Sequence, residues 1–332
     1  MSKLFWRHRN VFVTGATGLL GSWITNFLVA HGANVTILIR DHVPYSNLFS
    51  SKVAKKVNMV RGVVEDYYTL ERILNEYEID TVFHLAAQTI APIANTNPLS
   101  TFETNIKGTW TVLEACRRTP YVTKIIVSSS DKAYGESKIL PYDESTPLKG
   151  QYPYDVSKSC ADLIAQTYYK TYGLPVCITR CGNLFGGGDL NFNRLVPSVI
   201  RAALFQQTPI LRSNGNYIRD FLYVEDAVGG ITRLAESMEN LKLFGQAFNF
   251  SNETPITVIE IVQRILKRMK SSLKPEIINK SVNEIEKQYL SSKKAQKVLS
   301  WKPRFSLDDG IGKTVMWYKA FFKARERRVS DK

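Results

Sequence analysis

A glycine-rich turn near the N-terminus constrains the fold more than any other stretch of the chain. The segment TGATGLLG, residues 14–21, puts glycines at positions 15, 18 and 21. An apolar run at residues 11–13 predicts a buried strand before the turn, and the apolar residues after it recur at helical spacing. Glycines let the backbone approach a pyrophosphate, which the free N–H groups of a helix N-terminus then bind. In this strand–turn–helix context the triplet predicts a dinucleotide site, and the alternative is a merely tight turn.

The alternation of strand and helix patterns continues as far as Arg180. Further strand patterns, VNMV, TVFHLAA, KIIV and PVCITR, alternate with helical segments of crossover length. This order predicts an α/β fold with a Rossmann-type doubly wound parallel sheet. After Arg180 the rhythm changes to loops rich in Gly and Asn between helical segments. We therefore predict a dinucleotide-binding domain over residues 1–180 and a smaller, mainly substrate-binding α/β region over 181–332, with some segments returning to the Rossmann core.

Charge and composition exclude several classes of protein. The 332 residues carry a net charge of +14, but the basic residues are spread along the chain, so we expect an anionic small molecule and no nucleic acid as partner. No apolar run approaches the roughly 20 residues of a membrane span, and the N-terminus lacks the apolar core of a signal peptide. The four cysteines show neither metal nor redox spacing. We therefore expect a cytoplasmic protein with no metal and no membrane association.

The end of the second predicted strand leaves the choice between NAD and NADP open. NAD sites usually carry an acid there to bind the ribose 2′-OH, but here Ile39 is followed by Arg40 and Asp41. Arg40 could meet a 2′-phosphate, which favours NADP. Asp41 could instead bind the ribose, which favours NAD.

A second group of polar residues follows the strand pattern KIIV and opens a later helix. The segment SSSDKAYG, residues 128–135, places an acid and a base where a buried strand ends. Further on, YPYDVSK supplies Tyr154 and Lys158, four residues apart and therefore on one helical face. A lysine beside a phenol is expected to lower the pKa of Tyr154, which could then exchange a proton with a sugar hydroxyl.

With these motifs the chain resembles the extended short-chain dehydrogenase/reductases that act on nucleotide sugars. The resemblance runs nearly end to end and includes the glycine turn, HLAAQ, TNIKGT, YDVSK, RCGNLFGGGD and YIRDFLYVEDAV. Within this family the segments SSDKAYG, PYDVSKSCADL and GNLFGGGD are most similar to those of 4,6-dehydratases of the CDP-glucose type. The resemblance implies tightly bound NAD, a nucleotide-diphosphate sugar as substrate, deoxysugar and polysaccharide biosynthesis, and a homodimer formed through two long helices.

The resemblance also assigns roles to matching positions. Transfer of a hydride at the sugar C4 would depend on Ser130, Tyr154 and Lys158. The cofactor would contact Gly15, Thr17, Gly18, Leu19, Gly21, Arg40, Asp41, Leu85, Ala86, Ala87, Asn105, Tyr154 and Lys158. The substrate would contact Gln88, Asn183, Asn193, Arg194 and Arg219.

One of these positions has an alternative role, and one further position departs from the family pattern. Arg219 is a permanent, forked cation that suits a diphosphate, and the alternative is a salt bridge with Asp220 or Asp226. Val63 stands where many family members have an acid that meets the adenine, so the chain departs from the family at this contact.

Asp131 and Lys132 favour a dehydratase over an epimerase. Inversion at C4 needs one acid–base group at O4, whereas elimination across C5–C6 needs two more. Asp131 would be the acid at C6. Lys132 would be the base at C5 if burial or a cation such as Lys158 lowers its pKa, and would otherwise stabilise the enolate. The alternatives are a loop ion pair in an epimerase acting at C4 or C2, or a non-catalytic protein that binds NAD(P).

Overall fold

The computed structural model describes residues 2–280 and 284–330, with side chains described for 4–280 and 284–325. Its strands are β1 Asn10–Thr14, β2 Asn34–Ile39, β3 Asn58–Arg61, β4 Thr81–His84, β5 Lys124–Ser128, β6 Val176–Cys181, β7 Asn183–Phe185, β8 Ile210–Leu211, β9 Ile218–Tyr223, β10 Ala247–Phe250, β11 Pro255–Thr257 and β12 Glu276–Ile277. Its helices are α1 Ser2–Trp6, α2 Leu19–Ala30, α3 Asn47–Ser50, α4 Tyr67–Glu76, α5 Ala91–Thr96, α6 Pro98–Phe102, α7 Gly108–Arg118, α8 Pro153–Tyr172, α9 Leu195–Leu204, α10 Val224–Ser237, α11 Val258–Met269, α12 Lys293–Leu299 and α13 Leu307–Ser330.

A seven-stranded parallel sheet forms the centre of the molecule, in the order β10-β6-β5-β4-β1-β2-β3. The predicted Rossmann-type sheet is therefore confirmed. Its strands read as continuous apolar runs because helices cover both faces. Val11 and Val13 pack into the core on one face, whereas Phe12 between them packs into the core on the other. The chain reverses its winding direction between β1 and β4, where the carboxyl ends of parallel strands open a crevice.

The glycine turn joins β1 to α2 at this crevice. Gly15 has a φ of +75°, and a Cβ there would lie 2.7 Å from the amide nitrogen of Ala86. A Cβ on Gly21 would lie 2.1 Å from the carbonyl oxygen of Gly15. Contacts this short are forbidden to a carbon atom, so both positions require glycine. The turn thus packs directly against the segment that follows β4.

One helix differs from its predicted form. The run TFETNIKGTWTVLEACRR predicts a single helix, but the structure divides it into α6, a π-helical turn at Glu103–Lys107, and α7. A π turn inserts an extra residue and rotates the side chains around it. Asn105, within the turn, is consequently buried.

The part of the chain after residue 180 builds a smaller layer over the crevice. It contains a three-stranded sheet, β11-β9-β7, and a two-stranded sheet, β12-β8. A third apolar core there includes residues of α9, α11 and α13. β10, however, returns to pair with β6 in the large sheet. We propose that the predicted boundary near residue 180 separates the two regions, because the third core is formed almost entirely by residues beyond it.

No helix in the described ranges is both long enough and apolar enough to cross a membrane.

Candidate active site

A cleft of about 1380 Å³ lies at the carboxyl ends of the sheet strands, between the Rossmann core and the C-terminal layer. Most of the predicted site residues line it: Gly15, Thr17, Gly18, Leu19, Gly21, Arg40, Asp41, Leu85, Ala86, Ala87, Ser130, Asp131, Lys132, Tyr154, Lys158, Asn183, Asn193, Arg194 and Arg219. These residues come from segments up to about 200 positions apart, which the parallel sheet brings to one edge. The structure therefore places them on the walls of a single cavity, while their individual roles remain predictions.

The part of the cleft around the glycine turn, where the sequence predicts the cofactor and which we call the cofactor half, is formed largely by backbone. Gly18 is the N-cap of α2, and a Cβ there would have its shortest contact at 3.3 Å, with the carbonyl oxygen of Gly15. The free N–H groups of this helix N-terminus suit a pyrophosphate. Gly15 and Gly21 keep the turn tight, so the geometry fits a dinucleotide.

A buried network fixes the segment at Leu85–Ala87. The Thr14 hydroxyl accepts hydrogen bonds from the amides of Leu85 and Ala86, both at 3.1 Å. His84 lies 2.9 Å from the same hydroxyl through Nδ1 and 3.2 Å from the Thr109 hydroxyl through Nε2. Burial, assisted by the charge of Lys158, lowers the pKa of His84 to about 3, so the ring is neutral. His84 therefore acts as a fixed brace for the cofactor wall.

Arg40 and Asp41 interact with each other at the end of β2. Arg40 Nε donates to Asp41 Oδ2 at 2.7 Å, and both side chains are more than half exposed. An exposed pair of this kind contributes little to stability. Both side chains are therefore free to reorient towards a ligand. Val63 also lines this end of the cleft.

Gln88 and Asn105 lie outside the set of residues that line the cleft. Asn105 Oδ1 accepts from the Gln88 amide at 2.7 Å, and its Nδ2 donates to the Gln88 carbonyl and the Ser157 hydroxyl, both at 2.9 Å. The Gln88 side chain bonds to Ile90 and Thr101. In this arrangement both residues brace the loop that follows β4, and a direct contact with a ligand stays a prediction.

The Tyr154–Lys158 pair opens α8 as predicted, but its electrostatics differ from the expectation. Burial raises the pKa of Tyr154, against the lowering effects of Arg194 and of a hydrogen bond with Ser130. Lys158 Nζ donates to the Ser128 carbonyl at 2.8 Å, and burial lowers the pKa of Lys158 to about 8. The predicted lowering of the Tyr154 pKa was wrong for the protein alone, because desolvation of the phenolate outweighs the nearby positive charge.

After β5 the chain forms a 3₁₀ turn, Asp131–Tyr134, which contains Asp131 and Lys132 and has Ser130 as its N-cap. The Ser130 hydroxyl donates to Asp131 Oδ1 at 2.9 Å and accepts from the Lys132 amide at 3.2 Å. Asp131 is 2% exposed, and its Oδ2 has no hydrogen-bond partner among the described residues. An unpaired buried carboxylate oxygen on a cleft wall is costly unless a ligand satisfies it. Asp131 is therefore not the solvent-exposed loop residue of the alternative interpretation.

The pKa of Lys132 is shifted by neighbours that could not be identified from the sequence. Burial and the charge of Arg219 lower its pKa, whereas Asp131, Asp155 and Glu284 raise it. The neighbouring cation is thus Arg219, and not the Lys158 considered from the sequence. Lys132 Nζ also donates to Gln288 Oε1.

Asp155 is a cleft residue that sequence reasoning missed. It directly follows Tyr154 and is buried. Burial raises its pKa to about 6, with Asp131 raising it further and Lys132 opposing. A carboxylate in the first turn of the helix, beside the tyrosine, is the sequence signal that could have identified it.

Arg219 is 4% exposed and is tied to the C-terminal layer. Its guanidinium donates to Glu284 at 2.8 Å and to the carbonyls of Ile218 and Glu286. The salt bridges considered from the sequence are thus replaced by one with Glu284. Asp220 instead accepts from Ser251 and Leu290, and Asp226 from Arg304 and Phe305.

Arg194 and Asn193 lie at the start of α9. Arg194 donates to Asp189 Oδ2 at 3.0 Å and to the Thr89 hydroxyl at 2.7 Å. Its charge is close enough to affect the pKa of Tyr154. Asn193 is exposed on the cleft wall. Arg194 therefore belongs electrostatically to the end of the cleft that contains Tyr154.

Comparison with known proteins gives consistent results over nearly the whole chain. The sequence profile of the GDP-mannose 4,6 dehydratase family matches residues 12–314. A CDP-glucose 4,6-dehydratase of Salmonella typhimurium is 29% identical, over 100% of this chain and 96% of the relative. A dTDP-glucose 4,6-dehydratase of Streptomyces venezuelae, solved with NAD bound, superposes with a TM-score of 0.85 at 26% identity, covering 94% of this chain and 97% of that one. A UDP-glucose 4-epimerase of Thermotoga maritima, solved with UDP-glucose, gives 0.84 at 27% identity, covering 94% and 99%.

Proposed function

The chain belongs to the GDP-mannose 4,6 dehydratase family, and we propose that it is a nucleotide-sugar 4,6-dehydratase acting on a CDP-glucose-like substrate. The reaction oxidises the sugar at C4, removes the C5 proton, and expels the C6 hydroxyl as water. The hydride taken from C4 then returns to C6 and gives a 4-keto-6-deoxy sugar. The observation that supports this function best is the position of Asp131 and Lys132 on the same cleft walls as Tyr154.

We propose NAD as the cofactor, because the 26%-identical dehydratase carries it. The turn at Gly15, Gly18 and Gly21 would hold its pyrophosphate, and Arg40 and Asp41 would face its adenosine. When bound, NAD would supply the hydride acceptor, and later the hydride donor, that the reaction needs. Because the cofactor is regenerated in each cycle, it need not leave. Denaturing the purified protein and identifying the released nucleotide tests this directly. Release of NADP would assign Arg40 to a 2′-phosphate.

Tyr154 would hold and move the proton of the sugar O4. Its raised pKa keeps the phenol protonated in the protein alone, so the phenolate has to be stabilised when substrate and cofactor bind. Lys158, Arg194 and Ser130 are the groups that can supply this stabilisation. Proton transfer to such a positioned side chain typically contributes about two to four decades in rate.

Asp131 and Lys132 would carry out the elimination. Once C4 is a ketone, the C5 proton is acidic because its carbanion is an enolate. Lys132, with a pKa lowered by burial and Arg219, would take that proton. Asp131 would protonate the departing C6 oxygen through its free Oδ2. Lys132 would return its proton to C5 as the hydride reaches C6, and the proton released from O4 would replace the one lost by Asp131, so that one water molecule leaves in balance.

The substrate diphosphate would bind at the C-terminal side of the cleft. Arg219 is held rigidly by three acceptors, and Asn183 Nδ2 donates to the Asp220 carbonyl at 3.2 Å. Rigid cationic and amide donors suit phosphate oxygens. We also propose that Asn193 lies towards the nucleotide and Arg194 towards the sugar.

The second candidate is a 4-epimerase, favoured by the 27%-identical structure from Thermotoga maritima. Incubating the purified protein with CDP-glucose and then with other nucleotide hexoses separates the two activities. The proposal predicts a 4-keto-6-deoxy product that is absent with Tyr154→Phe. An inverted sugar without any keto product would support the epimerase. No turnover of any donor would contradict both.

We propose in addition that the protein forms a homodimer through α7 and α8. Trp110, Leu163 and Tyr172 on these helices are 44–56% exposed. By contrast, the apolar residues Leu113, Ala115 and Ala161 on the same helices are buried in the subunit. Analytical ultracentrifugation checks the dimer, and charged substitutions at Leu163 should favour the monomer.

A further inference from the structure

We propose that Gln288 is a positioning residue for the elimination step: it holds Lys132 at the cleft wall without placing a negative charge beside it. This inference rests on the proposed function, in which Lys132 takes the C5 proton. Gln288 does not touch the cleft itself, whereas Lys132 lines it. Its action is therefore exerted through Lys132.

The contact between the two side chains is buried. Lys132 Nζ donates to Gln288 Oε1, and Gln288 is 0% exposed. Of the two polar atoms of a side-chain amide, only the oxygen can accept a hydrogen bond from a lysine N–H. The contact therefore fixes the orientation of the Gln288 amide group. The result is a lysine whose flexible stem is anchored at its tip.

The segment that carries Gln288 is itself firmly attached. The backbone amide of Gln288 donates to the Ile218 carbonyl at 3.1 Å, and the backbone amide of Tyr142 donates to the Tyr289 carbonyl at 3.0 Å. The amide of Leu290 donates to the buried Asp220 carboxylate at 3.3 Å. These bonds join the segment to β9 on one side and to the loop around Tyr142 on the other. Gln288 is therefore a rigid support for Lys132.

The cost of burying Gln288 argues against a purely structural role. Its Nε2 has no hydrogen-bond partner among the described residues, and an unsatisfied buried donor is destabilising. An apolar side chain of similar volume would fill the same space without that cost. What glutamine provides, and leucine cannot, is the acceptor for Lys132.

The absence of charge on this acceptor matters because acids already surround Lys132. Asp131 on its own turn, Asp155 on α8 and Glu284 on the Gln288 segment each raise the pKa of Lys132, while burial and Arg219 on β9 lower it. A carboxylate at position 288 would stabilise the ammonium form further. A neutral amide accepts the hydrogen bond and still allows the lysine to exist as a free base.

The test compares Gln288→Glu, which is nearly isosteric, with Gln288→Leu and with the exposed control Gln206→Glu. Keto-product formation is followed against pH, with the transient reduced cofactor and bound NAD measured in parallel. In Gln288→Glu the ascending limb of the pH profile should move up by about one unit or more, since a nearby opposite charge shifts a pKa by about 1–3 units. At pH values below the shifted limb, the rate of product formation should be about tenfold or more lower than in the wild type, while the rate of C4 oxidation stays unchanged. Gln288→Leu should lose up to about a hundredfold in elimination without the upward shift.

Several outcomes would overturn the assignment of Gln288. A wild-type pH profile in Gln288→Glu would make Gln288 an ordinary core residue. Movement of the descending limb would show that Lys132 acts as a cation rather than as a base. Equal loss of C4 oxidation and elimination, or the same shift in Gln206→Glu, would indicate a general effect of folding or charge. Failure of the wild-type protein to form any keto product would instead contradict the proposed function.

Discussion

The two halves of the cleft differ in the part of the chain that forms them, which is mainly backbone in one half and side chains in the other. The cofactor half consists mainly of backbone from one short segment, in which Gly15 and Gly21 exclude any side chain. The reaction half consists of side chains from four separate segments, represented by Asp131, Asp155, Arg194 and Arg219. Local sequence determines the first half, whereas the second exists only after the chain has folded. We therefore expect that an added side-chain atom in the glycine turn abolishes cofactor binding. A substitution in the reaction half should instead remove one chemical step and leave the cofactor bound.

The largest effect is expected from a methyl group in the glycine turn. In Gly21→Ala the new Cβ would lie 2.1 Å from the Gly15 carbonyl oxygen, so the turn has to move. Bound NAD and all activity should be lost, and the free energy of unfolding should fall by about 1–3 kcal/mol. Gly229→Ala in α10, where a Cβ meets nothing within 4 Å, is the matched control and should be neutral or stabilising. A wild-type amount of bound NAD in Gly21→Ala would contradict the claim that the glycine turn excludes a side chain.

Loss of the Tyr154 hydroxyl should affect catalysis and leave the cofactor half intact. Tyr154→Phe should lower turnover by about two to four decades, while bound NAD stays at the wild-type level. Tyr68→Phe, which alters a side chain that is 80% exposed, serves as the control. Native turnover in the Tyr154 variant would show that the proton at O4 is handled elsewhere.

Substitution of Asp131 should abolish only the elimination step of the reaction. Asp131→Asn keeps the shape of the side chain but cannot readily give up a proton. Oxidation at C4 should continue and be visible as transient reduced cofactor, while formation of the keto product should drop by about two decades or more. Simultaneous loss of both steps would mean that Asp131 supports the site as a whole and is not the acid at C6.

The same contrast explains what could be predicted from the sequence. The parallel sheet, the glycine turn and the Tyr154–Lys158 spacing are local patterns, and the structure confirms that they exist. The pKa of Tyr154 could not be predicted, because desolvation depends on everything packed around the ring. The partners of Lys132 were equally hidden, since Gln288 lies 156 positions away. The π turn at Glu103–Lys107 was missed because its sequence reads as an ordinary amphipathic helix.

The last prediction concerns Asp155 and the pH dependence of stability. Burial raises its pKa to about 6, so between about pH 4 and pH 6 the folded protein retains a proton that the unfolded chain releases. The free energy of unfolding should therefore fall as pH rises through this window, by roughly 3 kcal/mol for a shift of about two units. Asp155→Asn should remove this contribution, and the difference from wild type isolates it from Asp220, whose pKa is also raised to about 6.

Denaturant unfolding of both proteins at several pH values from about 4 to about 7 provides the check. The variant should gain stability relative to wild type as pH rises. A constant difference between the two proteins would show that the Asp155 carboxyl is already ionised at the lower pH.

The most direct test of the whole account follows one hydrogen atom. CDP-glucose deuterated at C4, and then other nucleotide hexoses labelled in the same way, are incubated with the purified protein, and the products are examined by NMR. A 4,6-dehydratase moves the deuterium from C4 to C6 of a 4-keto-6-deoxy sugar, which is the result we predict. Deuterium retained at C4 of an inverted sugar, with no keto product from any donor, would contradict the account and would reduce Asp131 and Lys132 to structural residues of an epimerase.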